Sequence, residues 1–351
     1  MSKARNIAAL STVEVGATAD QTKADLNAIG VSGGRKNLII NGGFDVSQRG
    51  TYTTATSAPD GYYLDRWAID VNAITANIQQ LTTTVDGGTV KTMKIIATSS
   101  ATGALQMYQV VEAFAVMAGR TLTFSARVKS NQSSTRLQIY DGVSFIDDAG
   151  SRHTGGGDWE NLSLTFTPSS SSTTLNARIT GYDGLIALTT GDYIEVANAQ
   201  LELGSVATDF EHRSHVEELT LCQRYFYNVF YNNTDRATYP ISFEQASGNS
   251  GWITFSVPFA VPMRVAASFT HSLANSKILA AAAPSTGQDK FSFYIQNQGY
   301  RNMAGNGNMS NLSSVGCRFE GVVGTYYCSP DAHASHIFIG SGCTFQFDAE
   351  L

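Results

Sequence analysis

The sequence has few charged residues, no excess of positive charge and no long hydrophobic run. Of its 351 residues 15% are charged, and the formal net charge is -6. An acidic chain without a basic stripe lacks the electrostatic footprint of a nucleic-acid-binding protein, so we expect neither DNA nor RNA as a ligand. No run approaches the roughly 20 apolar residues of a membrane-spanning helix, and the apolar run before Ser11 is too short for a signal-peptide core. We therefore expect a soluble protein that is synthesised in a cytosol.

Cysteines are also scarce, and their spacing argues against a zinc site. The chain has four of them, and no two stand at the CxxC spacing: Cys222, Cys317, Cys328 and Cys343. Structural zinc sites generally place two ligands that close together. In a reducing cytosol disulfides are rare, so we expect free thiols that act as small buried hydrophobic side chains.

Helical periodicity is scarce, whereas strand-like alternation is frequent. Apolar residues share one face at period two, for example in 93–97, 122–128, 137–139, 162–166, 175–179 and 194–196. Gly, Asn, Asp and Ser turns separate these segments. Alternation returns in 253–257, 291–293, 337–339 and 345–349. Many short strands without helical intervals predict an all-β chain that contains two-sheet sandwiches.

The length and the changes in composition predict two β-rich domains, a tail and a joint. The tail, 1–36, is mildly basic, lacks aromatic residues and cannot form its own core. Within it a short helix would place Leu26 and Ile29 on one stripe, which favours bundling with other copies or docking on a partner, with disorder as the alternative. The first β-rich region is 37–212, the joint is 213–228, and a second β-rich region occupies 229–351.

The joint has the signature of a short helix. Ser214 can cap the helix, and Glu217 three residues later completes a capping box at its positive end. Leu219, Cys222 and Phe226 then fall on one face. A helix between two sheets would fix the arrangement of the regions on either side.

Four segments of the first β-rich region resemble, in order, landmarks of a carbohydrate-binding-module-like jelly roll: 37–45, 118–129, 158–167 and 192–202. The combination of 37–50 with Asp65-Arg-Trp67 and Cys222-Gln-Arg-Tyr-Phe226 is similar to bacteriophage tail fibre proteins, and 15–25 is similar to their virion-attachment segments. The resemblance extends over residues 1–230 and is weak beyond them. It implies a jelly-roll β-sandwich, a linking helix and a second β-sandwich that forms a receptor-binding head.

The resemblance also implies the partners and the location of the chain. A tail fibre is a homotrimer in the virion tail, attached to a tail or baseplate protein by its N-terminal segment, and its C-terminal head recognises glycan or lipopolysaccharide on the host surface. For such a trimer we expect Leu26, Ile29, Leu219, Cys222 and Phe226 at the interface. Several weak sites on one assembly would raise the overall affinity.

No group of residues in the sequence predicts catalysis. Carboxylates occur close together only as Asp147-Asp148, Glu217-Glu218 and Asp60 with Asp65, and we interpret Asp147-Asp148 as a solvated turn. A glycosidase needs two carboxyl groups about 5–10 Å apart in a cleft. No Gly-x-Ser-x-Gly segment is present. We therefore expect no enzymatic activity, with a hydrolytic tail spike and a stand-alone carbohydrate-binding module as the alternatives.

No cofactor is expected apart from a possible structural calcium ion. Jelly-roll relatives often bind calcium through oxygen ligands between the first and last strands, and Asp45 and Glu195 are the matching positions here. The pairs His212/His215 and His333/His336 lack a supporting acid, so we interpret them as surface residues.

Sugar binding is the remaining chemistry, and it needs exposed aromatic rings beside amide, carboxylate or guanidinium groups. Tyr300, Arg301 and Asn302 meet that requirement in a stretch rich in Gly and Asn that we interpret as an exposed loop, and Tyr326 and Tyr327 are the next candidates. We expect Trp67 and Trp159 to lie in the core.

Overall fold

The computed structural model describes residues 35–112, 114–181, 187–228, 237–239, 242–245, 251–265, 268–271, 291–295, 299–302, 308–310, 316–323, 334–339 and 345–350. Side chains are described up to residue 228, except 113, 116, 149 and 182–186, and beyond it for 258–265 and 348–350. The predicted tail falls almost entirely outside these ranges, and Leu26 and Ile29 lie outside them. Contacts divide the chain into two units, Met1–Glu218 and Leu219–Leu351.

The described part of the first unit is built from β-strands. In chain order they are β1 Thr56–Ser57, β2 Gly61–Tyr62, β3 Ala68–Asn72, β4 Ala76–Val85, β5 Gly88–Ala97, β6 Ala101–Thr102, β7 Ala104–Val110, β8 Leu122–Ser130, β9 Arg136–Tyr140, β10 Phe145–Arg152, β11 Trp159–Phe166, β12 Asn176–Thr180, β13 Ala187–Leu188 and β14 Tyr193–Leu203. A single 3₁₀ turn, Phe114–Val116, precedes β8.

These strands form two six-stranded antiparallel sheets. The first sheet has the order β1-β4-β5-β14-β8-β11, and the second has the order β10-β9-β12-β7-β3-β2; β6 and β13 form a separate pair. The predicted all-β sandwich is thereby confirmed for this unit. Alternation explains the layers, because one side of each strand supplies the core: Met93 and Ile95 from the first sheet meet Met107, Leu137 and Ile179 from the second.

A buried loop of polar residues closes one end of the sandwich. Asn41 is inaccessible to solvent and adopts a left-handed backbone conformation, with φ 57°, which Asn tolerates better than most residues. Its side-chain amide donates to Val46 O (2.8 Å) and Asp65 O (3.0 Å) and accepts from Val46 N (2.9 Å). Its backbone carbonyl accepts from Trp67 Nε1 (2.9 Å). The segments 37–50 and 65–67, which carry the family resemblance, therefore meet in this loop.

The N-terminal segment that contains Leu38 and Gly42 replaces β5 as the neighbour of β14 over part of its length. β14 pairs with β5 only from Tyr193 to Val196. Beyond that point Leu38 N donates to Leu201 O (2.7 Å), and Ala199 N donates to Gly42 O (2.9 Å). Glycine is required at position 42, because a Cβ there would lie 2.1 Å from the carbonyl oxygen of Ala199. Pairing with the N-terminal segment keeps the backbone of β14 satisfied along its length.

The linking helix is shorter than predicted. Helix α1 spans His215–Gln223, and the cap is as expected, since Ser214 Oγ accepts from Glu217 N (3.3 Å). The helix does not continue to residue 228, because Phe226–Asn228 forms strand β15 and pairs with the last strand of the chain. The boundary between the two units falls within α1, after Glu218.

The described strands of the second unit form three further sheets. They are β15 Phe226–Asn228, β16 Ala237–Tyr239, β17 Ser242–Gln245, β18 Gly251–Pro258, β19 Ser268–His271, β20 Phe291–Ile295, β21 Gly299–Asn302, β22 Asn308–Ser310, β23 Gly316–Val323, β24 Ala334–Ile339 and β25 Phe345–Asp348. Their orders are β15-β25-β19, β16-β24-β20-β21 and β17-β18-β23-β22, and all pairs are antiparallel. The second β-rich region is thus all-β in its described part, as predicted. Within the ranges given above, no helix has the length and the apolar character of a membrane span.

Replacing Asn41 with alanine tests the buried loop. Asn41→Ala removes three side-chain hydrogen bonds and leaves the NH and CO of Val46 and the CO of Asp65 buried without them. Each buried group that loses its partner costs about 1–3 kcal/mol, so we expect a loss of about 3 kcal/mol or more in the free energy of unfolding. Urea unfolding monitored by tryptophan fluorescence measures this loss. As a control, Asn161→Ala on the exposed side of β11 should change it by less than about 0.5 kcal/mol. Equal effects of the two substitutions would contradict the role of the loop.

Candidate functional site: the outer face of the second sheet

The outer face of the second sheet carries a continuous group of aromatic, charged and amide side chains. Register decides which residues share it: Tyr108 pairs with Arg178, and Arg178 pairs with Gln138, across β7, β12 and β9. The residues that alternate with them, including Met107, Ile179 and Leu137, point into the core. We call this group the Arg178 face: Asp70, Gln106, Tyr108, Arg136, Gln138, Tyr140, Phe145, Asp147 and Arg178.

Arg178 lies at the centre of the face among three aromatic rings. Its guanidinium carbon is 5.2 Å from the ring centroid of Tyr108, 5.6 Å from that of Tyr140 and 5.3 Å from that of Phe145. These distances fall within the range of cation–π attraction. The rings come from three different strands, β7, β9 and β10, so only the folded sheet brings them around one cation.

Partial burial shifts the pKa values of Arg178 and of its neighbour Tyr108. Desolvation lowers the pKa of Arg178, and the negative charge of Asp70 acts in the opposite direction. Desolvation likewise raises the pKa of Tyr108, with a smaller contribution from Asp70. Arg178 Nη1 donates to Gln106 Oε1 (3.3 Å), whereas its Nε is buried without a hydrogen-bond partner. Arg178 is thus a half-buried cation that is held mainly by rings.

Tyr140 and Phe145 form an accessible pair of rings beside Arg178. Their centroids are 4.7 Å apart, their planes are tilted by 34°, and Phe145 is 59% exposed. A large apolar ring that remains exposed on a sheet face indicates a contact surface for a ligand more strongly than a buried ring does. The turn between β9 and β10 holds this pair in place. There the buried carboxylate of Asp141 accepts from Val143 N (2.9 Å) and Ser144 N (2.8 Å).

Hydrogen-bonded polar pairs flank the rings on both sides. On β3, Asp70 accepts from the amide of Gln106; on β10, Asp147 accepts from Arg136 Nε (2.7 Å) and Gln138 Nε2 (3.2 Å). Asp147 is exposed, as predicted, but it lies on a strand and in an ion pair, so its interpretation as part of a turn is wrong. Burial by itself raises the pKa of Asp147, but the bonds from Gln138 and Arg136 outweigh it and lower the pKa.

The two flanking carboxylates are far apart. Asp70 and Asp147 lie four strands apart in the sheet, which corresponds to about 19 Å at about 4.8 Å per strand. Glycosidases hold their carboxyl pair within about 10 Å. These two groups are therefore placed to accept hydrogen bonds from separate hydroxyl groups of a ligand, and not to act together on one glycosidic bond.

The three residues at the centre of the glycan site predicted in the second unit lie on a strand and not in a loop. Tyr300, Arg301 and Asn302 lie on β21 and pair with Tyr294, Phe293 and Ser292 of β20, so the interpretation of this segment as a loop is wrong. The Gly/Asn-rich composition concealed the strand. Tyr326 and Tyr327 lie outside the described residues. A role in sugar binding stays a prediction for all five residues.

The predicted calcium ligands have different surroundings. Asp45 is exposed; desolvation raises its pKa, and the charges of His215, Lys91 and His212 partly oppose this effect. Glu195 is buried on β14 and accepts from Thr92 Oγ1 (2.9 Å). Among the described residues, no group of three His, Cys, Asp or Glu side chains could hold a metal ion. A calcium site at Asp45 and Glu195 stays an untested prediction.

Burial contradicts two of the predicted interface residues. Cys222 and Phe226 are 0% and 2% exposed, so neither side chain offers surface to another copy of the chain; Leu219 is partly accessible. Cys222 is buried, as expected of a small hydrophobic side chain. Trp67 lies in the core as predicted, whereas Trp159 is wrong as a core residue, because it is partly exposed on the outer side of β11.

Comparisons with known proteins give weak likenesses only. No family model matches the chain, and no curated protein matches it. Among solved structures, a Stig cyclase from Fischerella sp. TAU is similar over 49% of this chain and 99% of its own, with 12% identity and a TM-score of 0.35. The xylan-binding domain of carbohydrate-binding module family 22 is similar over 46% of this chain and 99% of its own, with 14% identity and a TM-score of 0.30. The enzymatically active domain of tailspike protein 4 of bacteriophage CBA120 is similar over 48% of this chain and 21% of its own, with 12% identity and a TM-score of 0.30.

These three likenesses are too weak to carry an argument about the function of this chain, since all TM-scores are below 0.5 and all identities are below 25%. The case for the Arg178 face rests on its own geometry. That geometry was missed in the sequence, where Tyr108, Arg178 and Phe145 stand on separate segments. The available signal was that each occupies an outward position of an alternating strand.

Replacing Asp141 with asparagine should destabilise the protein in a pH-dependent manner. Burial by itself raises the pKa of Asp141, but hydrogen bonds from Ser169, Ser144, Val143 and Ser172 outweigh it and lower the pKa. Asparagine cannot accept all four bonds, and hydrogen bonds to a charged group contribute about 1.5–3 kcal/mol each, so we expect a loss of about 2 kcal/mol at pH 7.

Because the folded-state pKa of Asp141 is depressed, its contribution is fully present above the unfolded pKa of about 3.9 and is lost as the pH falls through the folded pKa. Urea midpoints of the wild type and Asp141→Asn should therefore converge at low pH. Asp148→Asn is the control, since that exposed carboxylate accepts one hydrogen bond, from Gly150 N (2.8 Å). A difference that stays constant from pH 7 to pH 3 would contradict this account.

Proposed function

We propose that the chain is a glycan-binding protein and that the Arg178 face of its first β-sandwich is a saccharide site. The observation that carries the proposal is the guanidinium of Arg178 within 6 Å of three ring centroids, on a sheet face where Phe145 remains largely exposed. Saccharides present apolar C–H faces and many hydroxyl groups, so they require rings beside hydrogen-bonding side chains. The Arg178 face provides both.

The parts of the face have complementary roles in this proposal. The ring pair of Tyr140 and Phe145 stacks against the C–H face of one sugar residue. The carboxylates of Asp70 and Asp147, which the buried amides of Gln106 and Gln138 hold in place, bind hydroxyl groups at either side. Because the polar groups are already hydrogen-bonded to one another, they are held in place before a ligand arrives, which lowers the entropy cost of binding.

In the fuller form of this proposal, the chain is a homotrimeric bacteriophage tail fibre that binds host glycan or lipopolysaccharide without hydrolysing it. Support comes from the resemblance of 37–50, 65–67 and 222–226 to tail fibres. The N-terminal segment would attach to a tail or baseplate protein, and the fibre would reside in the virion tail. Three chains per fibre compensate for the weak affinity of a single sugar site.

A hydrolytic tail spike is the alternative from another class. The separation of about 19 Å between Asp70 and Asp147 favours binding over hydrolysis on the Arg178 face. Release of reducing ends from a bound polysaccharide by the purified protein would decide for the hydrolase.

Removal of the ring pair should weaken binding to bacterial cells. We expect the labelled full-length protein to bind host cells, to compete with phage adsorption and to be displaced by extracted surface polysaccharide. The double substitution Tyr140→Ala/Phe145→Ala should weaken cell binding by at least about tenfold, because each stacked ring contributes about 1 kcal/mol beyond its buried area. Cell binding is measured by flow cytometry.

Two further variants locate the site. Trp159→Ala removes a partly exposed ring from the other sheet and should leave cell binding unchanged. Tyr300→Ala/Arg301→Ala tests the predicted site on β21. If only the β21 variant loses binding, the receptor site lies in the second unit and the Arg178 face is not the site.

If the chain forms a homotrimer, its mass in solution should be that of three chains. Light scattering of the purified full-length protein should give about three times the chain mass of 37.6 kDa. A mass of one chain that persists at high protein concentration would contradict the fibre and leave the stand-alone binding module as the better description.

A further inference from the structure

We propose that the Arg178 face selects an acidic saccharide, with a carboxylate or phosphate group of the ligand bound by Arg178. This inference rests on the proposed saccharide site and names the class of its ligand. It starts from the charge of Arg178, which forms no ion pair within 4.0 Å in the described part of the chain. The guanidinium hydrogen-bonds only to the neutral amide of Gln106.

Three other described arginines differ in this respect. Arg127 lies 2.6 Å from Asp86, Arg136 lies 2.7 Å from Asp147, and Arg213 lies 3.3 Å from Glu218. No carboxylate among the described residues lies within 4.0 Å of Arg178. A half-buried charge without an ion pair is unfavourable, because the guanidinium has lost hydration that the charge of Asp70, on a strand two places away, offsets only in part. The lowered pKa of Arg178 has the same physical origin, desolvation.

The strands next to Arg178 leave room for an anion. Its cross-strand neighbours, Tyr108 and Gln138, are uncharged. The flanking carboxylates, Asp70 and Asp147, stand on strands two places from β12, and each already accepts a hydrogen bond from a side chain of the face. Asp147 is also neutralised by Arg136. The ion pair with Arg136 reduces the repulsion of an incoming anion by Asp147, and the anion would approach Arg178 at Nη2, whereas Gln106 and Asp70 lie on the side of Nη1.

The guanidinium also has donors available for such a ligand. Nη2 makes no hydrogen bond within the described residues, and it does not belong to the buried atoms without a partner, so it is accessible to solvent. A carboxylate or phosphate at the open end of the guanidinium would receive charge-assisted hydrogen bonds, which are about twice as strong as those between neutral groups. The neighbouring rings of Tyr140 and Phe145 would contact the apolar face of the same sugar residue.

Chemical modification of the receptor polysaccharide tests this inference. The probe is the surface polysaccharide extracted from a bacterial strain that the full-length protein binds. It is immobilised in three forms: native, carboxyl-reduced and dephosphorylated. Binding is measured by biolayer interferometry for the wild type, Arg178→Gln and the control Arg127→Gln, which removes a partly exposed arginine of the other sheet. Circular dichroism and urea midpoints establish that the variants are folded.

We expect either carboxyl reduction or dephosphorylation to weaken wild-type binding by at least about tenfold, which identifies the acid group. Arg178→Gln should bind the native polysaccharide more weakly than the wild type by a similar factor and should bind native and neutralised forms alike, whereas Arg127→Gln should behave as the wild type.

Equal wild-type binding to all three forms, together with weak binding by Arg178→Gln, would overturn the acidic ligand and leave the saccharide site intact. Two results would overturn the saccharide site itself. One is undiminished binding by both variants, Arg178→Gln and Tyr140→Ala/Phe145→Ala. The other is failure of the wild-type protein to bind any bacterial strain.

Discussion

The buried hydrogen bonds of Asn37 and Asn41 are the constraint on which the first β-sandwich depends. Asn37 Oδ1 accepts from Ile39 N (2.9 Å) and Leu201 N (3.1 Å), and Asn41 connects the segments that contain Val46 and Asp65. An irregular segment can lie inside a protein only if its backbone groups find partners. These two amides supply the partners, which allows Phe44 and Ile39 to reach the core and close one end of the sandwich.

The same network extends to the start of the linking helix. Glu218 accepts hydrogen bonds from Asn41 N and from Arg213 Nη1 (3.3 Å), and Arg213 also donates to the carbonyl groups of Asn37 and Ile39. Desolvation raises the pKa of Glu218, and Arg213 opposes that effect. The first residues of α1 are thus bound to the first unit by buried charge-assisted bonds, which explains why the boundary between the two units follows Glu218 rather than preceding the helix.

Arg178 differs from the ion-paired arginines Arg127 and Arg136, and this contrast locates the candidate site. On the first sheet, Arg127 is paired with Asp86, so its charge is already neutralised within the chain. On the second sheet, Arg178 is held by rings and one amide, and its charge remains available to a ligand. A folded sheet tolerates such an exposed arrangement because the core beneath it, including Met107 and Ile179, supplies the stability.

The sequence by itself determined the fold class, six strands of the first unit (β5, β8, β9, β11, β12 and β14) and the capped start of α1, because alternation and capping are local properties of the chain. It failed where pairing partners decide: a Gly/Asn-rich composition hid β21, and Cys222 and Phe226 share a predicted helix face although Phe226 belongs to a strand. The Arg178 face was decided by tertiary structure alone. Tyr108, Tyr140, Phe145 and Arg178 come from four strands, and the order β10-β9-β12-β7 is what brings their outward side chains together. Alternation gives the side of a strand on which a residue lies, but only sheet order gives its neighbours.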